Sequence, residues 1–180
     1  MMRALRIGVP VGIAAGAVMA VWLMVVMWLT GAGFWIAMNL VAHTFYRSAP
    51  LDDKFNASAL VIGLAVHTTM AIIFGTAITA LVQRLPGHRS LVIAGGILFV
   101  AVVWPVMQYG VWYSIDEEAA EGVTAWVFAV AHLLFGLVAA SIAAVGVADD
   151  EPVTRGRHAA VTTAQREPPP GNLFQPGRRR

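Results

Sequence analysis

VTAWVFAVAHLLFGLVAASIAAVGVA, residues 123–148, runs without a charged side chain and carries one histidine, His132. A helix rises 1.5 Å per residue, so about 20 apolar residues cross a hydrocarbon core of about 30 Å, and this stretch is long enough. Lipid offers no partner to backbone amides or carbonyls, so a segment that spans it must be helical. A histidine inside such a helix costs several kcal/mol unless it finds a partner, which makes its surroundings the central question.

Three more stretches have the same character, at about 7–29, 59–82 and 90–112. The chain of 180 residues is 58% hydrophobic and 12% charged, with a mean hydropathy of +0.71, which excludes an ordinary soluble domain. The predicted fold is all-α: a polytopic membrane protein whose four transmembrane helices form one bundle over residues 1–148. The first apolar run exceeds the ~7–15 residues of a signal peptide and has no small-x-small cleavage site after it, so it is expected to stay as a span. From Asp149 onward Asp, Glu, Thr, Arg, Gln, Pro and Gly dominate, which predicts a disordered cytoplasmic tail over 149–180.

Charge orients the bundle. Arg3 and Arg6 precede the first span, Arg84 and Arg89 separate the second from the third, and Arg155, Arg157, Arg166 and Arg178 to Arg180 follow the fourth. The other two connections hold Arg47 and Lys54 beside Asp52, Asp53, Asp116, Glu117, Glu118 and Glu121. The positive-inside rule therefore predicts cytoplasmic termini, a cytoplasmic 83–89 turn and two acidic outer loops. Pro86-Gly87 makes that turn tight, so the second and third spans are expected to be neighbours. GFWIAMNLVAHTFY, residues 33–46, is too short to span and is expected to form a short interfacial helix on or in the outer leaflet. IDEEAAE, residues 115–121, reads as a solvated acidic loop, and His43, His88 and His158 as solvated histidines.

Small residues recur every fourth position, which lines them along one helix face. The first span has Gly8, Gly12, Gly16 and Ala20; the second has Gly63, Ala71, Gly75 and Thr79, with His67 in the missing place. In the fourth, His132 heads Gly136, Ala140 and Ala144. Membrane helices approach one another along such stripes, so both histidines are predicted to face protein. Each lies about eight or nine residues from its outer entry, a depth of ~12–14 Å, on helices running the same way. IAAGAVMAVW in the first span and IAGGILFVAVVW in the third, with AVHTTMAIIFG in the second and AVAHLLFG in the fourth, suggest a two-plus-two repeat.

The outer half also holds Met24, Met27, Met70, Trp104, Met107, Gln108 and Tyr109. Pro105 removes a helical hydrogen bond and is expected to kink the third span, freeing the Ala101 carbonyl. With no cysteine in the chain, a cofactor would be held by His, Met, carboxylate or backbone. Three binding readings follow. His67 and His132 would be axial ligands of a haem b between helices. Copper would take His67, Met70, His132 and Met107 or Met27. Trp104, Gln108, Tyr109 and His132, with Met27, would line a quinone or lipid pocket.

The competing reading makes each histidine polar glue across an interface, worth ~0.6–2 kcal/mol. No glycine-rich phosphate loop, G-x-S-x-G, H-E-x-x-H or intramembrane carboxylate is present, and nothing argues for nucleic acid. The glycine-striped first span, GFW after it, the mid-span His67 and AHLLFG together resemble small, uncharacterised four-helix membrane proteins of bacteria. The likeness covers residues 8 to about 146 and implies the four-span fold. The expected function is that of a non-catalytic integral membrane protein, an accessory subunit or assembly factor whose partners are lipids and other membrane subunits. The alternative is a haem b- or copper-binding protein built on the histidine pair.

Overall fold

A computed structural model of the chain describes residues 2–84 and 89–149. The tip of the 83–89 turn with His88, and the tail with His158, fall outside the described residues, as do the expectations placed on them. The described residues form helices α1 (Met2–Leu29), α2 (Ile36–His43), α3 (Ala57–Val82) and α4 (Arg89–Pro105), a π-helical stretch (Val106–Trp112), and α5 (Tyr113–Ile115), α6 (Glu117–Glu121) and α7 (Ala125–Asp149). Four helical segments, Met2–Leu29, Ala57–Val82, Ser90–Ile115 and Ala125–Gly146, are long and apolar enough to cross a membrane. Val21, Val61, Leu98 and Val102 stay exposed on their outward faces, which suits a lipid surround.

Glycine decides how the spans pair. A Cβ on Gly8 would stand 2.6 Å from the Thr76 Cα, and one on Gly12 would meet the Ala71 carbonyl and the Ile72 Cα. One on Gly75 would run into the backbone of Gly12. The backbones of α1 and α3 therefore touch along the predicted stripe, the arrangement that replaces hydrophobic drive inside lipid. A second close pair is α4 with α7: a Cβ on Gly96 would stand 2.5 Å from the Ala140 Cβ, and one on Gly136 would meet Val100. Each half of the two-plus-two sequence repeat thus forms its own antiparallel pair. Trp22 joins the halves by donating from Nε1 to the Val127 carbonyl at 3.1 Å.

One end of the bundle is capped by protein. The short helix expected after the first span is α2, and Ile36 to Leu40, Ala42 and His43 are buried in it as it packs against α3. A Cβ on Gly63 would collide with the Met38 carbonyl, which is how α3 admits it. Asn39 fixes the following loop by donating from Nδ2 to the Asp52 and Lys54 carbonyls, both at 2.9 Å. Asn56 then caps α3, its side chain accepting from the Ala59 amide.

At Pro105 the α-helical register of the third span ends. The proline nitrogen cannot donate to Ala101, and the chain answers by shifting register into i to i−5 pairing, seen where the Tyr113 amide donates to the Gln108 carbonyl. Substitutions at two glycines separate packing from propensity. Gly12→Val should destabilise detergent-solubilised protein by at least about 2 kcal/mol, since backbone blocks the new side chain. Gly110→Ala, where an added Cβ meets nothing within 4 Å, should stay within about 0.5 kcal/mol in the same thermal unfolding assay.

Candidate functional site

Between the two pairs, in the capped half, lies an apolar cavity of about 220 Å³. His67 and Met70 from α3, Met107 and Trp112 from the π-helical stretch, His132 from α7 and Met19 from α1 all line it. The two histidines that shared a depth in the sequence therefore share a cavity. Thr44, Phe45 and Ile115 line it from the capped end, with Val66 and Phe74 from α3, Val103 from α4 and Val111 from the π-helical stretch. Phe45, Val111 and Ile115 are exposed, so the cavity is open to the surroundings on the side of these residues.

Both imidazoles have their tautomers set by backbone. His67 Nε2 lies 2.9 Å from the Gly16 carbonyl across the α1–α3 contact. His132 Nδ1 lies 2.9 Å from the carbonyl of Phe128, one turn back in its own helix. A carbonyl only accepts, so Nε2 of His67 and Nδ1 of His132 carry the hydrogens. In the neutral rings the other nitrogens, Nδ1 of His67 and Nε2 of His132, are bare lone pairs with no protein partner among the described residues. No carboxylate lines the cavity to compensate an imidazolium, which leaves the neutral form least costly there.

The residues facing the two histidine helices differ. Gly16 faces Ala71, four residues beyond His67, and Val100 faces Gly136, four beyond His132. Where the first pair has glycine and a bond across helices, the second has valine and a bond within one helix. Polar glue thus describes His67, while His132 makes no cross-helix hydrogen bond among the described residues.

Of the residues expected at the site, His67, His132, Met70 and Met107 line the cavity, while Met27, Trp104, Gln108 and Tyr109 do not. Met27 is buried in the core. Gln108 turns to α6, donating from Nε2 to the Ala120 carbonyl at 2.9 Å, and its Oε1 is buried without a partner, as is Trp104 Nε1. Tyr109 is 54% exposed on the outward face. Met19 was missed, although its place three residues after Gly16 puts it on the same face.

The larger correction concerns the cap. His43 and Asp116, read as solvated, are 6% and 3% exposed. His43 Nδ1 donates to Asp116 Oδ2 at 2.8 Å, and Arg47 reaches Asp116 Oδ1 and the Ile115 carbonyl, both at 2.7 Å. The same carboxylate caps α6 through the Ala119 amide, and Trp112 donates to Thr44 Oγ1 at 2.9 Å. These bonds pin the end of α2 to the 112–116 corner and so hold the cavity's roof. Burial pushes the Asp116 pKa up, but the hydrogen bonds from His43, Ala119 and Arg47 prevail and hold it below the ordinary 3.8.

Among the described residues no group of three or more His, Cys, Asp or Glu side chains stands together as a metal site. Comparison with protein-family models, curated proteins and solved structures finds no match to this chain.

A carboxyl whose folded pKa is depressed stabilises the fold above its unfolded pKa, and that stability is lost as pH falls through the folded value. Asp116→Asn should therefore lower stability at pH 7 by about 1–3 kcal/mol. The gap between wild type and variant in thermal unfolding should shrink as pH is lowered through and below 3.8. A gap that stays constant down to pH 3 would contradict the ionised latch.

Proposed function

We propose that this chain is a non-catalytic integral membrane protein that binds a small electron-pair acceptor, a metal ion or an O–H donor, on the two imidazole lone pairs in its cavity. The observation that carries the reading is that both ring N–H groups are already committed to the Gly16 and Phe128 carbonyls, leaving two acceptors and no histidine donor on the cavity wall. An oxidised quinone or a ketone, which brings only acceptors, finds no histidine hydrogen there. A haem b fits poorly: the cavity of about 220 Å³ is below the ~300–1,000 Å³ of pockets for drug-sized ligands, and a macrocycle is larger than these. Thr44, the hydroxyl on the wall, accepts from Trp112 and keeps its own hydrogen as a donor. Such a chain serves as an accessory subunit or ligand carrier among larger membrane proteins.

Orientation follows from the arginines. The uncapped end carries Arg3, Arg6 and Arg84, while the capped end carries most of the acidic residues, which favours an orientation with the cap outside in the bacterial inner membrane proposed for the chain. The chain has no cysteine, so single introduced thiols report topology cleanly. In intact cells an impermeant maleimide should label Glu118→Cys and should label Arg84→Cys only after lysis, both positions being exposed. The opposite pattern overturns the orientation.

Binding is tested on the full chain in nanodiscs with two probes, copper(I) as its acetonitrile complex and an alkyl hydroquinone. At a hundred times Kd a ligand stabilises by about 2.7 kcal/mol, a rise of roughly 5–10 °C for a chain of this size. At least one probe should produce that rise in wild type and lose it in His132→Ala, whose missing hydrogen bond lies within one helix. No rise with either probe overturns the reading.

A further inference from the structure

We infer that the cavity is a copper(I) site, with His67 Nδ1 and His132 Nε2 as nitrogen ligands and thioethers from Met70, Met107 or Met19 completing the coordination. The inference rests on the binding reading above and deepens it.

Four properties of the wall select this ion. First, each histidine is anchored through its non-ligating N–H on a backbone carbonyl, the outer-shell bond that orients metal-ligating imidazoles and fixes their tautomer. Second, the remaining donors are sulfur. Met70 follows His67 by three residues on α3, Met107 comes from the π-helical stretch opposite, and Met19 comes from α1. Thioethers are soft ligands and imidazole is borderline, a combination that suits copper(I) and not sodium, magnesium or calcium, which take oxygen.

Third, the donor set is neutral. No carboxylate lines the cavity and no cysteine exists in the chain to supply a thiolate. The cost of burying an ion scales with the square of its charge, so an uncompensated divalent ion costs about four times as much as a monovalent one. Zinc and copper(II) are disfavoured on that ground. Fourth, the chain places flexible side chains where coordination needs adjustment. Methionine has three rotatable bonds, and Met70 and Met107 are half-buried on the cavity lining.

The π-helical register also acquires a purpose. After Pro105 the shift to i to i−5 pairing turns Gln108 onto the Ala120 carbonyl and leaves Met107 and Val111 on the cavity wall. A thioether is thereby presented where an amide would otherwise compete. Such insertions recur at functional sites.

Full-length protein in nanodiscs, titrated anaerobically with copper(I) in competition with bicinchoninate, tests the inference. One copper per chain should be retained, and X-ray absorption at the copper edge should show nitrogen scatterers together with at least one sulfur. His132→Ala should weaken retention at least tenfold. Met70→Leu with Met107→Leu, which conserves volume and fold, should weaken it at least tenfold and diminish or abolish the sulfur contribution. Failure to retain copper, a spectrum without sulfur, or retention unchanged in His132→Ala each overturns the copper site. If copper is not retained while an alkyl hydroquinone stabilises wild type but not His132→Ala, the metal inference falls and the binding reading stands. If neither probe acts, both fall.

Discussion

The backbone contact between α1 and α3 is the constraint on which the rest depends. Inside lipid no hydrophobic force draws helices together, so attraction has to come from packing and from polar groups. Gly8, Gly12 and Gly75 remove the side chains that would hold these two helices apart. Only then does the Gly16 carbonyl come within 2.9 Å of His67 Nε2, and only with that bond made is the ring's other nitrogen committed as a lone pair. A Cβ at Gly16 would stand 2.6 Å from the Ala71 Cβ, so a larger residue there would part the helices and lift the carbonyl off the ring. The chemistry of the cavity is thus downstream of a steric fact about glycine.

The second pair uses the same plan with a changed residue. Val100 faces Gly136 as Gly16 faces Ala71, and His132 turns to its own helix for a carbonyl. The outcome on the cavity side is equivalent: one ring presents Nδ1, the other Nε2, each without a hydrogen. Above them the His43, Arg47 and Asp116 cluster and the Trp112–Thr44 bond hold the roof, so the cap and the cavity are one mechanical unit. Phe135 and Phe74, toward the uncapped end of their helices, also line the cavity.

The four spans, the small-residue faces and the placing of both histidines toward protein were legible because they depend on local periodicity and on what lipid forbids. The shared cavity was half legible: matched depth suggested it, and tertiary packing made it. His43 with Asp116 was not legible, because the partners are 73 residues apart and each sits in a segment whose composition reads as a wet loop. Trp104, Gln108 and Tyr109 were misplaced for a different reason. They were placed by depth alone, without a helix face, and for Gln108 and Tyr109 that face is set by the π-helical register that follows Pro105. Met19 lay in plain view at i+3 from Gly16, but methionine in an apolar run carries little signal until its neighbours are known.

The claim underlying all of this is that the two intramembrane histidines are neutral, hold opposite tautomers, and present their bare nitrogens to one cavity. Nitrogen-15 NMR of histidine-labelled protein in lipid bilayers, with His67→Gln and His132→Gln used for assignment, measures it directly. The account predicts an Nε2–H tautomer for His67 and an Nδ1–H tautomer for His132 near neutral pH in metal-free protein. Finding either ring protonated on both nitrogens, or both rings in the same tautomer, would contradict it.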